Sequence, residues 1–364
     1  MNLIIVAGAR PNFMKIAPII HEIEKRQGEG HTISYKLIHT GQHYDRNLSD
    51  TFFEELNIPA PTVNLNVHSG SQAEQTGAIM VGFEKVLQEH PADLVLVVGD
   101  VTSTMACTVV AKKAHIDVAH VEAGIRSGDI KMPEEINRIV TDSITDYFFT
   151  TSELATKELV RSGKAEENIF FVGNVMIDTL LKNLPKLSRT DIAKDLDLKD
   201  GSYYMLTLHR PSNVDSLDSF SKLIRLIIEK SKGLPIVFPV HPRTQKILKS
   251  ANLSFDNLHY IDPQGYLSFI SLVKNSKAVL TDSGGITEEA SLLNVPCLTF
   301  RNSTERPETC ELGTNVLVGS DLHKINQAFA LLHANTWKQS KPIPKWDGKA
   351  SERIVNHLLD LYEA

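Results

Sequence analysis

Residues 93–98, DLVLVV, are apolar at every position after the aspartate. A run without apolar–polar alternation belongs to a strand covered on both faces, as central strands of parallel sheets are. Such a sheet needs helices on each side, and the chain supplies them. Residues 3–7 read as a strand, 14–25 as a helix with apolar positions at helical spacing, and 33–38 as a second strand. Residues 117–121, 147–150 and 168–172 follow as strands separated by helical stretches. This βαβ rhythm predicts an α/β chain with a doubly wound parallel sheet.

After Gly173 and Asn174 comes a helical, charged stretch over 182–200, and then the rhythm restarts. Strands are expected at 203–208, 235–240, 258–261, 278–281 and 296–300. Two Rossmann-like domains satisfy this pattern: residues 1–172 and residues 173–345. KPIPK at 341–345 reads as a second linker, and the final helix carries Ile354, Leu358, Leu359 and Tyr362 on one stripe. That stripe must dock, and the expectation is that 349–364 pack back on the first domain.

The 364 residues suffice for two ordinary domains, and 42% apolar with 23% charged content is that of a soluble globular chain. A net charge of −6 gives no basic footprint for nucleic acid. No run approaches the ~18 apolar residues of a membrane span. The N-terminal MNLIIVAGARP has no basic leader and reads as a first strand. Cys107, Cys297 and Cys310 have no CxxC spacing, which suits buried thiols in a reducing, cytoplasmic setting. HTGQH places His39 and His43 on a loop with glycine between them, so no metal site is expected.

Polar residues gather where the expected strands end, which is where parallel sheets bind ligands. TDSGGITEE follows the strand at 278–281. Ser283, Gly284 and Gly285 would turn strand into helix, exposing N–H groups and a positive helix end suited to a diphosphate. Asp282 or Ser283 could also be a simple helix cap. Glu288 or Glu289, one turn on, could accept from ribose hydroxyls. His209 and His241 follow two further strands of the second domain, and Arg243 stands beside the latter. In the first domain Arg10 and Lys15 bracket the first helix, in a segment lacking Walker-loop spacing. Asp100 ends DLVLVV and is either functional or a cap. Glu122 ends an apolar strand, so it should be partly buried, as glutamates rarely are without a partner or a task. Glu134 follows Pro133 in a first helical turn, where an acid also suits the dipole. Three carboxylates at strand and helix ends suit acid–base work.

The motifs GARPNFMKIAP, HTGQHYD, GDVTSTMA, HVEAGIRSGD, MPEEINR, VGNVMID, LHRPSNVD, PVHPR, LTDSGGITEEA, TERPE and WDGKASERI, in this order, resemble those of the non-hydrolysing UDP-N-acetylglucosamine 2-epimerase family. The resemblance spans residues 4 to 354. It implies the GT-B fold, two Rossmann-like domains across a cleft with the terminal helix returning to the first. It also implies inversion at C2 of UDP-GlcNAc to UDP-ManNAc, for surface polysaccharide precursors, through elimination of UDP to 2-acetamidoglucal and re-addition. Carried onto this sequence, Asp100, Glu122 and Glu134 stand at the catalytic carboxylates. Arg10, Lys15 and His209 stand at positions that contact the diphosphate or support the site, and His209 is counted with the catalytic residues. His241, with Arg243 adjacent, belongs to the same site. Ser283, Gly284 and Gly285 match the diphosphate turn, Glu289 the ribose contact and Phe269 the aromatic position near uracil. The expectation is a homodimer acting on a UDP-sugar without cofactor or metal. The GARPNFMK start keeps a modified sugar open, such as UDP-2,3-diacetamido-glucuronate. A GT-B glycosyltransferase is a further alternative, but it leaves the three carboxylates without a task.

Overall fold

The computed structural model describes residues 1–41, 46–68, 70–210, 216–240, 244, 248, 251 and 253–363. His43, His241 and Arg243 lie outside the described residues. The chain divides into two compact units, Met1–Lys182 with Pro344–Ala364, and Asn183–Ile343.

In the first unit the described strands are β1 (Asn2–Ala7), β2 (Ser34–His39), β3 (Val63–Asn64), β4 (Leu94–Val98), β5 (Asp117–Val121), β6 (Tyr147–Thr150) and β7 (Ile169–Phe171). They form one parallel sheet in the order β3-β2-β1-β4-β5-β6-β7. Between them run α1 (Arg10–Gly28), α2 (Arg46–Glu55), α3 (Gln72–Glu89), α4 (Thr102–Lys113), α5 (Pro133–Ile144) and α6 (Glu153–Arg161), and α7 (Val175–Asn183) follows. All five residues of β4 are buried. Val95 and Val97, on one face, pack with Phe83 of α3 and Ala106 of α4. The alternate residues Leu94, Leu96 and Val98 are buried as well, so the unbroken apolar run does mark a strand covered on both faces.

The second unit repeats the plan. Strands β8 (Tyr204–Thr207), β9 (Ile236–Pro239), β10 (Leu258–Ile261), β11 (Ala278–Thr281), β12 (Cys297–Thr299) and β13 (Asn315–Leu317) are parallel, in the order β10-β9-β8-β11-β12-β13. Its described helices are α8 (Asp191–Asp195), α9 (Leu217–Ser231), α10 (Tyr266–Lys274), α11 (Gly285–Leu292), α12 (Pro307–Glu311) and α13 (Leu322–Ala334). One core cluster holds Phe220 and Ile224 of α9, and another holds Leu272 of α10 and Ala290 of α11. The sheet is therefore also covered on both faces.

The first unit runs past residue 172, where the sequence suggests a boundary, to Lys182. The reason lies in α7, whose Thr179 Oγ1 donates to Met14 O of α1 at 2.5 Å. Asp178 of α7 also caps the final helix, α14 (Ala350–Glu363), accepting from Ala350 N at 3.1 Å and Ser351 N at 2.7 Å. α14 in turn packs along α1, burying Ile354, Leu358 and Leu359 of the stripe. The helical stretch expected over 182–200 breaks into a short 3-10 turn at Leu184–Lys186 and α8. Pro185, which lacks an N–H to donate, interrupts it. The short strands β3 and β13 carry too little pattern to be seen in the sequence.

Candidate active site

Each sheet has a switch point, where consecutive strands leave in opposite directions: β1/β4 in the first unit and β8/β11 in the second. Ligands of doubly wound sheets collect at the carboxyl ends of such strands. Of the described sequence-predicted residues, Arg10, Asp100, His209 and Ser283 to Gly285 follow the ends of these four strands.

In the first unit the turn from β1 into α1 is fixed by Asn12. Its Oδ1 accepts from the N–H groups of Gly8 and Ala9, both at 2.9 Å, and its Nδ2 donates to Val98 O of β4 at 3.2 Å. Arg10 is half-buried at the first position of α1, and Lys15, one turn on, is buried. Lys15 Nζ donates to Glu122 Oε2 at 2.6 Å, with only 10% and 2% of the two side chains exposed. A solvated pair of Arg10 and Lys15 at the helix start is therefore not what forms. Glu122 has φ of 72°, a left-handed conformation costing a residue with a side chain about 1–2 kcal/mol. Gly99, with φ of 68°, runs alongside, and a Cβ there would lie 2.8 Å from Lys15 Nζ. Only glycine leaves the ammonium room to reach Glu122.

Asp100 does not cap α4, whose N-cap is Val101. Instead its Oδ2 accepts from Arg138 Nη1 at 2.5 Å, and its carbonyl accepts from Asn137 Nδ2 at 2.9 Å. Arg138 is buried on α5 and donates its other side, through Nε and Nη2, to Glu135 Oε2 at 2.9 and 2.6 Å. Glu135 also accepts from the N–H groups of Ser127 and Gly128. Burial works to raise the Glu135 carboxyl, but those N–H groups and Arg138 hold it below the usual range. Glu134, the expected catalytic member of the pair, is half-buried in the first turn of α5. The structure thus joins Lys15 to Glu122 and Asp100 to α5, with Glu135 and Arg138 as partners the sequence reading missed. Glu135 carried no signal that set it apart from Glu134, while the spacing of Glu135 and Arg138, three apart on a helix, was legible.

In the second unit Asp282 is not a cap either, since α11 starts at Gly285 with Gly284 as its N-cap and no side-chain bond. Asp282 is buried and reaches across to the end of β8. It accepts from His209 N at 3.1 Å and Arg210 N at 3.0 Å, and His209 Nδ1 lies 3.0 Å from its Oδ1. The His209 side chain, 47% exposed, is thereby held at the sheet edge. Ser283 N donates to Thr281 Oγ1 at 2.9 Å. At Gly284 a Cβ would lie 2.5 Å from Glu305 Oε1, whereas beside Gly285 the space is open. That is the arrangement an anion at the helix start requires: a bare backbone with room in front of it.

Beneath the turn lie acids that are paired or neutral. Glu288 Oε1 lies 2.5 Å from Arg306 Nε, and Glu305 pairs with Arg301 at 2.7 Å. Burial would raise the Glu305 carboxyl, but Arg301 and then Arg306 hold it down at about 2. Glu289 is buried beside the Tyr266 hydroxyl. Burial pushes its carboxyl up to about 8, against the pull of that hydroxyl and with the charge of Glu288 adding to it. Phe269, on α10, is partly buried against the same core. Among the described residues no cluster of His, Cys, Asp and Glu could hold a metal ion. Among them also, no helix is long and apolar enough to cross a membrane.

The profile of the UDP-N-acetylglucosamine 2-epimerase family matches residues 25–359. A UDP-N-acetylglucosamine 2-epimerase of Methanocaldococcus jannaschii is 44% identical, over 98% of this chain and 99% of its own. A crystal structure of the M. jannaschii UDP-GlcNAc 2-epimerase in complex with UDP-GlcNAc and UDP superposes with a TM-score of 0.89 at 43% identity, covering 99% of this chain and all of that one. A UDP-2,3-diacetamido-2,3-dideoxy-D-glucuronate 2-epimerase of Pseudomonas aeruginosa is 36% identical, over 99% of this chain and all of its own. The two doubly wound units are those of the GT-B fold.

The raised Glu289 carboxyl has a measurable consequence. From the ordinary 4.5 up to about 8 the unfolded chain gives up this proton while the folded chain keeps it. Its contribution to stability is therefore full below 4.5 and falls as the pH rises through 8. Glu289→Gln, which does not titrate, should lose this slope, so the Tm of the natural chain should decline relative to that of the variant as the pH is raised across that window. Parallel melting curves would mean that Glu289 is ionised in the folded chain.

Proposed function

This chain belongs to the UDP-N-acetylglucosamine 2-epimerase family, and we propose that it inverts C2 of UDP-N-acetylglucosamine to give UDP-N-acetylmannosamine. The observation that carries the reading is the division of chemistry between the switch points. One holds two carboxylates fixed by buried cations, and the other a bare helix start suited to a diphosphate.

C2 of this sugar has no neighbouring carbonyl to acidify its proton, so direct removal and return is too slow. Elimination avoids the difficulty. A carboxylate takes the C2 proton, a C1–C2 double bond forms, and the C1–O bond breaks with its electron pair leaving on UDP. Re-addition of the UDP oxygen to C1, with a proton delivered to the other face of C2, gives the epimer. Asp100, Glu122 and Glu134 are the groups for the two proton transfers. Arg10, His209, His241 and Arg243 are assigned to the departing diphosphate, whose negative charge grows as the bond breaks. Ser283, Gly284 and Gly285 hold it at the start of α11, with Glu289 on the ribose and Phe269 near the uracil. Lys15 supports the site through Glu122.

The P. aeruginosa relative favours a second reading, in which the sugar is a 2,3-diacetamido-glucuronate. The three free thiols suit the reducing cytoplasm, and the product would supply surface polysaccharide assembly. We also assign a homodimer. Ile136 and Ile139, one turn apart on α5, are 45% and 41% exposed, and Val81 on α3 is 58% exposed. Apolar side chains left outward on two helices that both pack against α4 suit a partner surface. Light scattering should give twice the chain mass for the natural protein and the chain mass for Ile139→Asp; a natural protein running at the chain mass contradicts the assignment.

The reaction itself is tested in D₂O by NMR. UDP-N-acetylglucosamine should yield UDP-N-acetylmannosamine carrying deuterium at C2. Unlabelled, unchanged substrate would contradict the assignment, and labelling of UDP-2,3-diacetamido-glucuronate alone would establish the second reading. Free N-acetylmannosamine with UDP would show a hydrolase. Asp100→Asn and Glu122→Gln should each keep UDP binding and lose about 10²- to 10⁴-fold in turnover; near-natural rates in both would leave the carboxylates structural.

A further inference from the structure

Glu122 stands in a left-handed backbone between two residues that one carboxylate grips. Asp142, on α5, faces His120 Nδ1 with its Oδ1 at 2.7 Å. Its Oδ2 accepts from Gly124 N at 3.1 Å and from Arg126 Nη1 at 2.6 Å. His120 precedes Glu122 by two positions and Gly124 follows it by two, so Asp142 spans the strained residue from both sides. The other ring nitrogen of His120 lies 2.8 Å from Gly99 O, the carbonyl just before Asp100. The two ring nitrogens thus face a carboxylate and a carbonyl, which ties His120 to both α5 and the turn after β4.

We infer that Asp142 and His120 are positioning residues for the proton chemistry: Asp142 holds the backbone that aims Glu122, and His120 extends that hold to the turn carrying Asp100. His120 is wholly buried and Asp142 nearly so, so they act on the substrate only through other groups. Packing alone is a poor explanation for the pair. Buried ion pairs often add nothing to stability beyond apolar side chains of the same volume. Burial works to raise the Asp142 carboxyl, yet His120 and then Arg126 keep it below the usual range. A carboxylate there is what lets one side chain accept from three donors at once. α5 thus reaches Asp100 by two routes, directly through Asn137 and Arg138 and indirectly through Asp142 and His120.

The inference rests on the proposed epimerase reaction, so the experiment separates the two. The natural chain is assayed first for C2 exchange on both UDP-sugars, and its failure to exchange either would sink the reaction and not the geometry. The variants are Asp142→Asn, His120→Gln and His120→Ala, each measured for C2 exchange, KM, UDP affinity and melting. A misplacement of the order of 1 Å costs about 10²-fold, so Asp142→Asn and His120→Ala should lose about that much in kcat. Their KM and UDP affinity should stay near the natural values. His120→Gln keeps a donor towards Gly99 O and should recover part of the loss relative to His120→Ala. Turnover at the natural rate in folded variants would overturn the inference, and so would activity that falls only in step with UDP affinity, the mark of general damage. If a variant does not exchange, a crystal structure of Asp142→Asn still decides: Glu122 and Asp100 displaced supports the role, and both unmoved contradicts it.

Discussion

The contact between Lys15 and Glu122 governs the first unit. It joins α1 to the end of β5 across the end of β4, with both side chains out of water. Removing one partner of such a pair costs about 3–5 kcal/mol, because the other charge stays buried alone. Several features of the sequence answer to that contact. Position 99 must lack a Cβ, residue 122 must accept a left-handed backbone, and Asn12 must hold the turn that starts α1. Glycine at 99 and asparagine at 12 are thus parts of one device.

The two units share a topology and treat charge in opposite ways. In the first, Glu122 and Asp100 each face a buried cation, so carboxylates are kept oriented at the sheet edge. In the second, Glu288 and Glu305 are neutralised by Arg306 and Arg301, and burial keeps Glu289 protonated near neutrality. The acids near the start of α11 are thus paired or neutral, which suits the anion site proposed there. Asp282 accepts from the backbone N–H groups of His209 and Arg210 at the end of β8. Proton transfer needs carboxylates aimed at a carbon, and anion binding needs carboxylates kept quiet. On the proposed reading each unit meets one of these needs.

Much of this was legible in the sequence, because strands buried on both faces leave unbroken apolar runs. DLVLVV lay within a residue of β4, and 117–121, 147–150, 258–261 and 278–281 coincide with strands at both ends. The positions of Asp100, Glu122, His209 and TDSGG at strand ends followed from the same pattern. What was not legible depended on tertiary partners. Asp100 and Asp282 read equally well as helix caps, and only the fold shows them reaching Arg138 and the end of β8. His120 sits inside an apolar strand with no motif of its own, and Asp142 comes 22 residues later. Glu134 and Glu135 differ by one position on a helix, about 100° of rotation, and that places Glu135 on the buried side. β3 and β13 are too short to show periodicity, and α7 belongs to the first unit through hydrogen bonds that no local pattern announces.

The claim at the centre of this account is that Lys15 works through Glu122 and not through the nucleotide. Lys15→Met tests it, with deuterium exchange at C2 and UDP affinity measured on the same preparation. The account predicts a loss of exchange of about 10²-fold or more, with UDP affinity changed by less than about threefold, under 1 kcal/mol. A fall in UDP affinity that matches the fall in exchange would make Lys15 a diphosphate ligand and contradict it.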